Sequence, residues 1–304
     1  MSQEIDENRR TPEELAVLFD LEPDIKEVIV EGRTDAGLLR WYFSITSPDA
    51  DVKFFAIQDR VLINNDRLQS MGYDSGNRGR VIATAQIVES LFPEQKAGAF
   101  VADRDRGAIG LDPCPTVNGL HFTDFTSIEL YFFNEKSLRK ILTVTLRAPQ
   151  SVKASHILTA ITPILTTLFR IRAVLRTAPE PKPKLAAGVI DKLKIGADGT
   201  SNLDPKDALQ KSAQGKVDGL LQTYEALSLS PELDVRHYIH GHDFCAVLVR
   251  YLQGNHPQVF REERRGLAYP STLELAVLTS AEVSELAETH LFQDLTEFLR
   301  GDED

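Results

Sequence analysis

Apolar residues in the first 135 positions follow two alternating spacings. Short continuous runs, Val28-Ile29-Val30, Phe54-Phe55-Ala56-Ile57 and Ala99-Phe100-Val101-Ala102, alternate with stretches whose apolar residues recur every three or four positions. The first spacing is that of a strand buried on both faces, the second that of an amphipathic helix. Helices are predicted over residues 12–20, opened by Thr11-Pro12, over 34–44 with Leu38, Leu39, Tyr42 and Phe43 inward, and over 80–92 with Val81, Ala85, Val88 and Leu91 on one face. Strands are predicted over 27–31, 52–57, 98–102 and 120–122, and a further helix begins at 128. The polar, glycine-containing stretch 64–80 and the Pro/Gly-rich stretch 106–118 read as loops. Strands alternating with helices imply an α/β fold, a parallel sheet with right-handed crossovers flanked by helices.

From about residue 136 the strand spacing disappears. Helical spacing covers 136–146, 152–176, 204–228, 241–253 and 272–300, broken by the Pro/Lys loop 177–184. The expected organisation is an N-terminal helical extension over 1–24, an α/β catalytic domain over 25–135 and a mostly α-helical region over 136–304. A chain of 304 residues with 42% hydrophobic and 26% charged residues can bury a substantial core. The first ten residues hold no apolar run, and no run approaches the roughly 18 residues of a membrane span, so a cytoplasmic location and no membrane are expected. Cys114 and Cys245 lie too far apart in sequence for a metal-type pair.

The net charge of −11 argues against a general nucleic-acid coat protein. The charge is uneven, however. Residues 151–200 carry eight Lys/Arg against three Asp/Glu, among them Arg170, Arg172 and Arg176. A local basic surface suits a polyanion, and equally a solvated helix face or a subunit interface.

Two predicted strands end abruptly in carboxylates: Val28-Ile29-Val30 in Glu31-Gly32-Arg33-Thr34-Asp35, and Phe100-Val101-Ala102 in Asp103-Arg104-Asp105-Arg106. In open α/β sheets, ligands bind at the carboxyl ends of the strands. Glu31, Asp103 and Asp105 at one sheet edge would offer the hard oxygen ligands that Mg²⁺ or Mn²⁺ takes. Such an ion suits hydrolysis of a phosphodiester, with Glu31 as a further ligand or a general base. Taken singly, each carboxylate is also an ordinary turn or helix-start residue, and Arg104 and Arg106 can pair with the acids.

The order and separation of these motifs resemble the Toprim domain. Its signature is a Glu at the end of the first strand and an Asp-x-Asp at the end of the third, the positions of Glu31, Asp103 and Asp105. Asp35 matches an acidic residue that follows Glu-Gly in the nuclease branch. The segment Thr123-Asp124-Phe125-Thr126-Ser127-Ile128-Glu129-Leu130-Tyr131 is similar to an element found after the Asp-x-Asp in OLD-like and PARIS-type phage-defence nucleases, with Leu130 where that element usually has Asn. His240-Gly241-His242-Asp243-Phe244 is similar to a Gly-His/Lys-Asp element late in such chains.

The resemblance covers about residues 25–135. It implies a metal-dependent Toprim endonuclease with Mg²⁺ or Mn²⁺ held by Glu31, Asp35, Asp103, Asp105 and Glu129, and with His242 as a catalytic cation. It also implies a nucleic-acid substrate, RNA such as tRNA or DNA, met in part by Arg104, Arg106, Arg170, Arg172 and Arg176. An ABC-type ATPase sensor as partner, a role as toxic effector of anti-phage defence and a homodimer when active complete the expectation.

Two other readings stand beside it. A HAD-like phosphatase also uses Asp-x-Asp, but places it on the first strand and needs a Lys and an acidic pair on later strands. A Toprim-fold regulatory subunit would keep the fold without turnover.

Overall fold

The computed structural model describes residues 9–179, 182–215 and 219–301. Its principal elements in chain order are α1 (Pro12–Leu21), β1 (Lys26–Val30), α2 (Arg33–Thr46), β2 (Val52–Ala56), α3 (Asn77–Leu91), β3 (Gly98–Ala102), β4 (Leu120–Phe122), α4 (Ala154–Thr177), α5 (Gly241–Asn255), α6 (Pro270–Leu278) and α7 (His290–Arg300). The four strands form one all-parallel sheet in the order β2-β1-β3-β4. The α/β fold class expected from the spacing is therefore the observed one.

The continuous apolar runs form strands because both sheet faces are covered. Ile29 and Phe100 are in register on neighbouring strands and join a core with Leu15 and Phe19 of α1 and Val81, Ile82 and Val88 of α3. Val28 and Phe54, also in register, point the other way, where Phe54 stacks on Phe43 of α2 at 5.7 Å between ring centroids. Glu27, a charged residue inside β1, is tolerated because Arg60 meets its carboxylate with two hydrogen bonds of 2.8 and 2.9 Å. Both residues are buried.

The chain divides into two compact units that do not follow the expected linear boundaries at 24 and 135. The first holds the described residues through Arg104, then Cys114–Asp124, then those from Glu282 onward. The second holds Asp105–Pro113 and Phe125–Ala281. Packing explains why α1 is part of the sheet unit rather than an extension. The Phe19 ring lies against the backbone of Gly98, where a Cβ would approach it to 2.2 Å. The last helix, α7, belongs to the same unit. Its Phe292 ring meets Tyr42 of α2 at 4.6 Å, and the Asp124 carboxylate accepts the His290 and Leu291 N–H groups at its first turn.

The second unit is helical. In it α4 packs on α5, and α6 packs on α5 and on the 3₁₀ turn Ile128–Phe132. By length and composition α4 is apolar enough to cross a membrane, although no uninterrupted apolar run of that length exists in the chain. More than half of its apolar window is buried, with Ile161, Leu165 and Leu168 wholly so. This is the placement of a core helix.

Three further expectations are corrected. The presumed loop 64–80 contains a helix, Asn65–Ser70, which Asn64 caps and which buries Leu68. The stretch 204–228 is not one helix: Pro205–Ser212 and Leu220–Ala226 are separate, with residues 216–218 outside the described set. The stretch 272–300 breaks into α6, the turn Val283–Leu286 and α7.

Candidate metal centre

The sheet order fixes where the first unit can bind a ligand. From β1 the chain passes through α2 to β2 on one side, and then through α3 to β3 on the other. The order thus reverses between β1 and β3, and the crevice at the carboxyl ends of those two strands is the switch point at which open α/β sheets take ligands. Val30 and Val101 are in register there, Glu31 follows β1 directly, and Asp103 follows β3 directly.

These two residues meet. The Asp103 backbone N–H donates to Glu31 Oε1 at 2.8 Å, which aims one carboxylate oxygen across the crevice. The start of α3 closes the arrangement: Asn77 Nδ2 donates to the Glu31 carbonyl at 2.8 Å, and Arg78 Nε donates to the Asp103 carbonyl at 2.6 Å. Arg78 also lies over the Phe122 ring of β4 and near Cys114 Sγ. The N-termini of α2, which follows β1, and of α3, whose first residues hold the Glu31 and Asp103 carbonyls, supply positive dipole ends that favour an anionic ligand. The donor chemistry of Glu31 and Asp103 suits Mg²⁺ or Mn²⁺.

Asp105, in the second unit, adopts a left-handed conformation with φ of 49°. Asp is among the few side chains that tolerate this region, and such strain gathers at functional sites. Its N–H donates to the Thr126 carbonyl at 2.8 Å. Asp35 has a structural role: its carboxylate accepts the Gly32 N–H at 2.9 Å and caps α2.

The arginines expected to meet phosphate are engaged within the protein. Arg104 donates to the Thr123 carbonyl. Arg106 pairs with Asp112 at 2.6 Å, and Arg176 approaches the same carboxylate at 3.4 Å. Arg172 grips Asp243 with two bonds of 2.7 Å, and Arg170 donates to the Tyr224 carbonyl while stacking on its ring. Arg170, Arg172 and Arg176 thus each make contacts inside the helical unit, and Arg172 meets the charge of the buried Asp243.

Glu129 and His242 come together in the second unit with a residue that the sequence did not single out, Glu274 of α6. His242 Nδ1 lies 3.6 Å from Glu129 Oε1 and 3.6 Å from Glu274 Oε2. The adjacent Glu274 carboxylate, helped by the Glu129 charge, lifts the His242 imidazole to about 9, and His242 in turn holds the Glu274 carboxyl below its usual range. Two residues earlier, burial pushes a histidine the other way: His240 falls to about 4. Cys245 is fully buried, and its thiol is pushed well above its ordinary value, so it is a core side chain and no nucleophile.

Asn77, Arg78 and Glu274 were invisible to sequence reasoning. Gly76 before Asn77 marks a helix start, but nothing local ties that start to Glu31, 46 positions earlier. Searches of protein-family models and of curated proteins find no match to this chain.

Proposed function

We propose that the chain is a metal-dependent nuclease of Toprim type that hydrolyses phosphodiester bonds in nucleic acid, RNA such as tRNA or DNA. The observation that carries this reading is the hydrogen bond from the Asp103 N–H to Glu31 Oε1 at the crevice where the strand order reverses. It joins the two motifs on which the Toprim resemblance rests. Glu31 and Asp103 are the residues of the sheet unit that would hold Mg²⁺ or Mn²⁺, and Asp105 enters through the Toprim resemblance alone. When bound, such an ion supplies Lewis acidity and charge neutralisation at a phosphate. The chain's own part is orientation. Asp103 fixes one Glu31 oxygen, Asn77 and Arg78 hold the two backbone carbonyls, and two helix N-termini attract the anionic substrate.

A HAD-like phosphatase fits less well, because Asp103-x-Asp105 follows the third strand and, among the described residues, the three-residue β4 alone comes after it in the sheet. The expected setting is anti-phage defence in the cytoplasm, with an ABC-type ATPase as controlling partner and a homodimer as the active form. The test is cleavage of labelled tRNA and duplex DNA in Mg²⁺ and in Mn²⁺, with the partner ATPase and its trigger supplied. Glu31→Gln and Asp105→Asn should each lower the rate at least about 100-fold. Asn is the informative choice at 105 because it also tolerates positive φ, so a loss reports chemistry rather than backbone strain. Equal rates for wild type and both variants overturn the proposal.

A further inference from the structure

The geometry points to a second divalent-metal site, in the helical unit, formed by Glu129, His242 and Glu274 and selective for a transition ion such as Zn²⁺ or Mn²⁺ over Mg²⁺. The Toprim resemblance had Glu129 as a ligand of the Mg²⁺ centre and His242 as a catalytic cation; the geometry instead joins both to Glu274 in a separate site that uses none of Glu31, Asp103 or Asp105.

One donor atom from each of the three residues lies within 4.8 Å of the other two. Around a tetrahedral ion with ligand bonds of about 2.1 Å, neighbouring donors stand about 3.4 Å apart. Both distances from His242 Nδ1, at 3.6 Å, are already close to that edge. Closing the Glu129–Glu274 side completes three corners of a tetrahedron and leaves the fourth open, the arrangement of ion sites that admit water or a ligand. The nitrogen donor sets the selectivity. Imidazole suits Zn²⁺ and other transition ions, whereas Mg²⁺ takes oxygen almost exclusively.

Two features at the same place point to a ligand. Ser127 is 7% exposed, and its Oγ is a buried hydroxyl with no hydrogen-bond partner among the described residues. A buried polar atom left unmet costs about 1–3 kcal/mol, so the site is incomplete as it stands. Gly241, the first residue of α5, brings the helix onto this spot. A Cβ there would lie 2.1 Å from Ser127 Oγ and 2.3 Å from Glu129 Oε2, so the hydroxyl and the carboxylate converge over one point that only glycine leaves open. Water on an ion held there would be a partner for the Ser127 hydroxyl.

Charge favours the ion as well. An imidazolium cancels one of the two carboxylate charges; a divalent ion beside a neutral imidazole cancels both. The α5 N-terminus opposes this with only about half a charge.

The test uses the full chain, stripped of metal by a chelator and titrated with Zn²⁺ alone by calorimetry, then with Mn²⁺ while the His242 ring resonances are followed by NMR. Zn²⁺ binding is expected to weaken at least about tenfold in Glu274→Gln and to persist in Asp103→Asn. Mn²⁺ is expected to broaden the His242 resonances, and a large excess of Mg²⁺ to leave them unmoved. His242→Gln, at a side chain 70% exposed, serves where Glu274→Gln fails to fold. Identical Zn²⁺ isotherms for wild type and these variants, or His242 resonances untouched by Mn²⁺, overturn the site and leave an ion-paired imidazole. Loss of Zn²⁺ binding only in Asp103→Asn assigns the ion to the sheet edge instead. Because the readout is binding, it stands apart from any nuclease result.

Discussion

Arg60 and Glu27 carry a sharp single-residue prediction in the sheet unit. Glu27 lies in the central strand β1, and Arg60, in the short helix Ile57–Arg60 after β2, meets it in a buried bidentate pair while lying over the Phe55 ring. Removing one member strands the other charge in an apolar layer, so Arg60→Met should destabilise the protein by about 3–5 kcal/mol in urea unfolding. The double variant Glu27→Leu/Arg60→Met should recover most of that loss. The two cysteines give a second check. Cys114 is exposed and Cys245 buried with a raised thiol, so iodoacetamide should label Cys114 in the native protein and reach Cys245 only after unfolding. His121 of β4 gives a pH signature. Burial lowers its imidazole, against a smaller opposing pull from Asp294. The folded state therefore binds this proton less readily than the unfolded one. The associated stability is complete above the unfolded value of about 6.5 and declines as pH falls below it. Melting temperature should fall more between pH 7 and pH 5.5 in wild type than in His121→Phe; equal slopes would exclude a role for His121.

Close backbone approach governs two elements. At Gly98 the first residue of β3 accommodates the Phe19 ring of α1, and at Gly241 the start of α5 accommodates Ser127 and Glu129. Gly98→Ala should cost about 1–3 kcal/mol through overpacking, and Phe19→Leu in the same chain should return part of it, as thermal unfolding can measure. The elements that the sequence disclosed best were the strands, because burial on both faces leaves a continuous apolar run that needs no partner to be recognised. Helix Asn65–Ser70 escaped notice because it buries one side chain, Leu68, too few for periodicity to register. The stretch 272–300 looked continuous because Leu273, Val277, Leu291, Phe292 and Leu295 all keep helical spacing, although the first two face the core of one unit and the last three that of the other.

For the whole molecule, the candidate chemistry was legible from spacing alone only at the strand ends, while Glu129 and His242 were reached through the family resemblance. Glu31, Asp103 and Asp105 stand out because each closes or follows an apolar run. Asn77, Arg78 and Glu274 do not, because each reaches its partner from far along the chain. The net charge of the basic stretch 151–200 was visible in the sequence, whereas the acids that pair with Arg176 and Arg172, Asp112 and Asp243, lie outside it. The organisation that results is a sheet unit in which the Asp103 backbone N–H donates to the Glu31 carboxylate across two strand ends, and a helical unit with a Glu-His-Glu cluster of its own. Calorimetric titration of Mn²⁺ tests the sheet-edge centre most directly, in a Glu274→Gln background that weakens the helical unit's contribution. Asp103→Asn in that background should weaken Mn²⁺ binding at least about tenfold with the melting temperature unchanged. The same Mn²⁺ affinity with and without the Asp103 carboxylate would contradict a metal centre between β1 and β3.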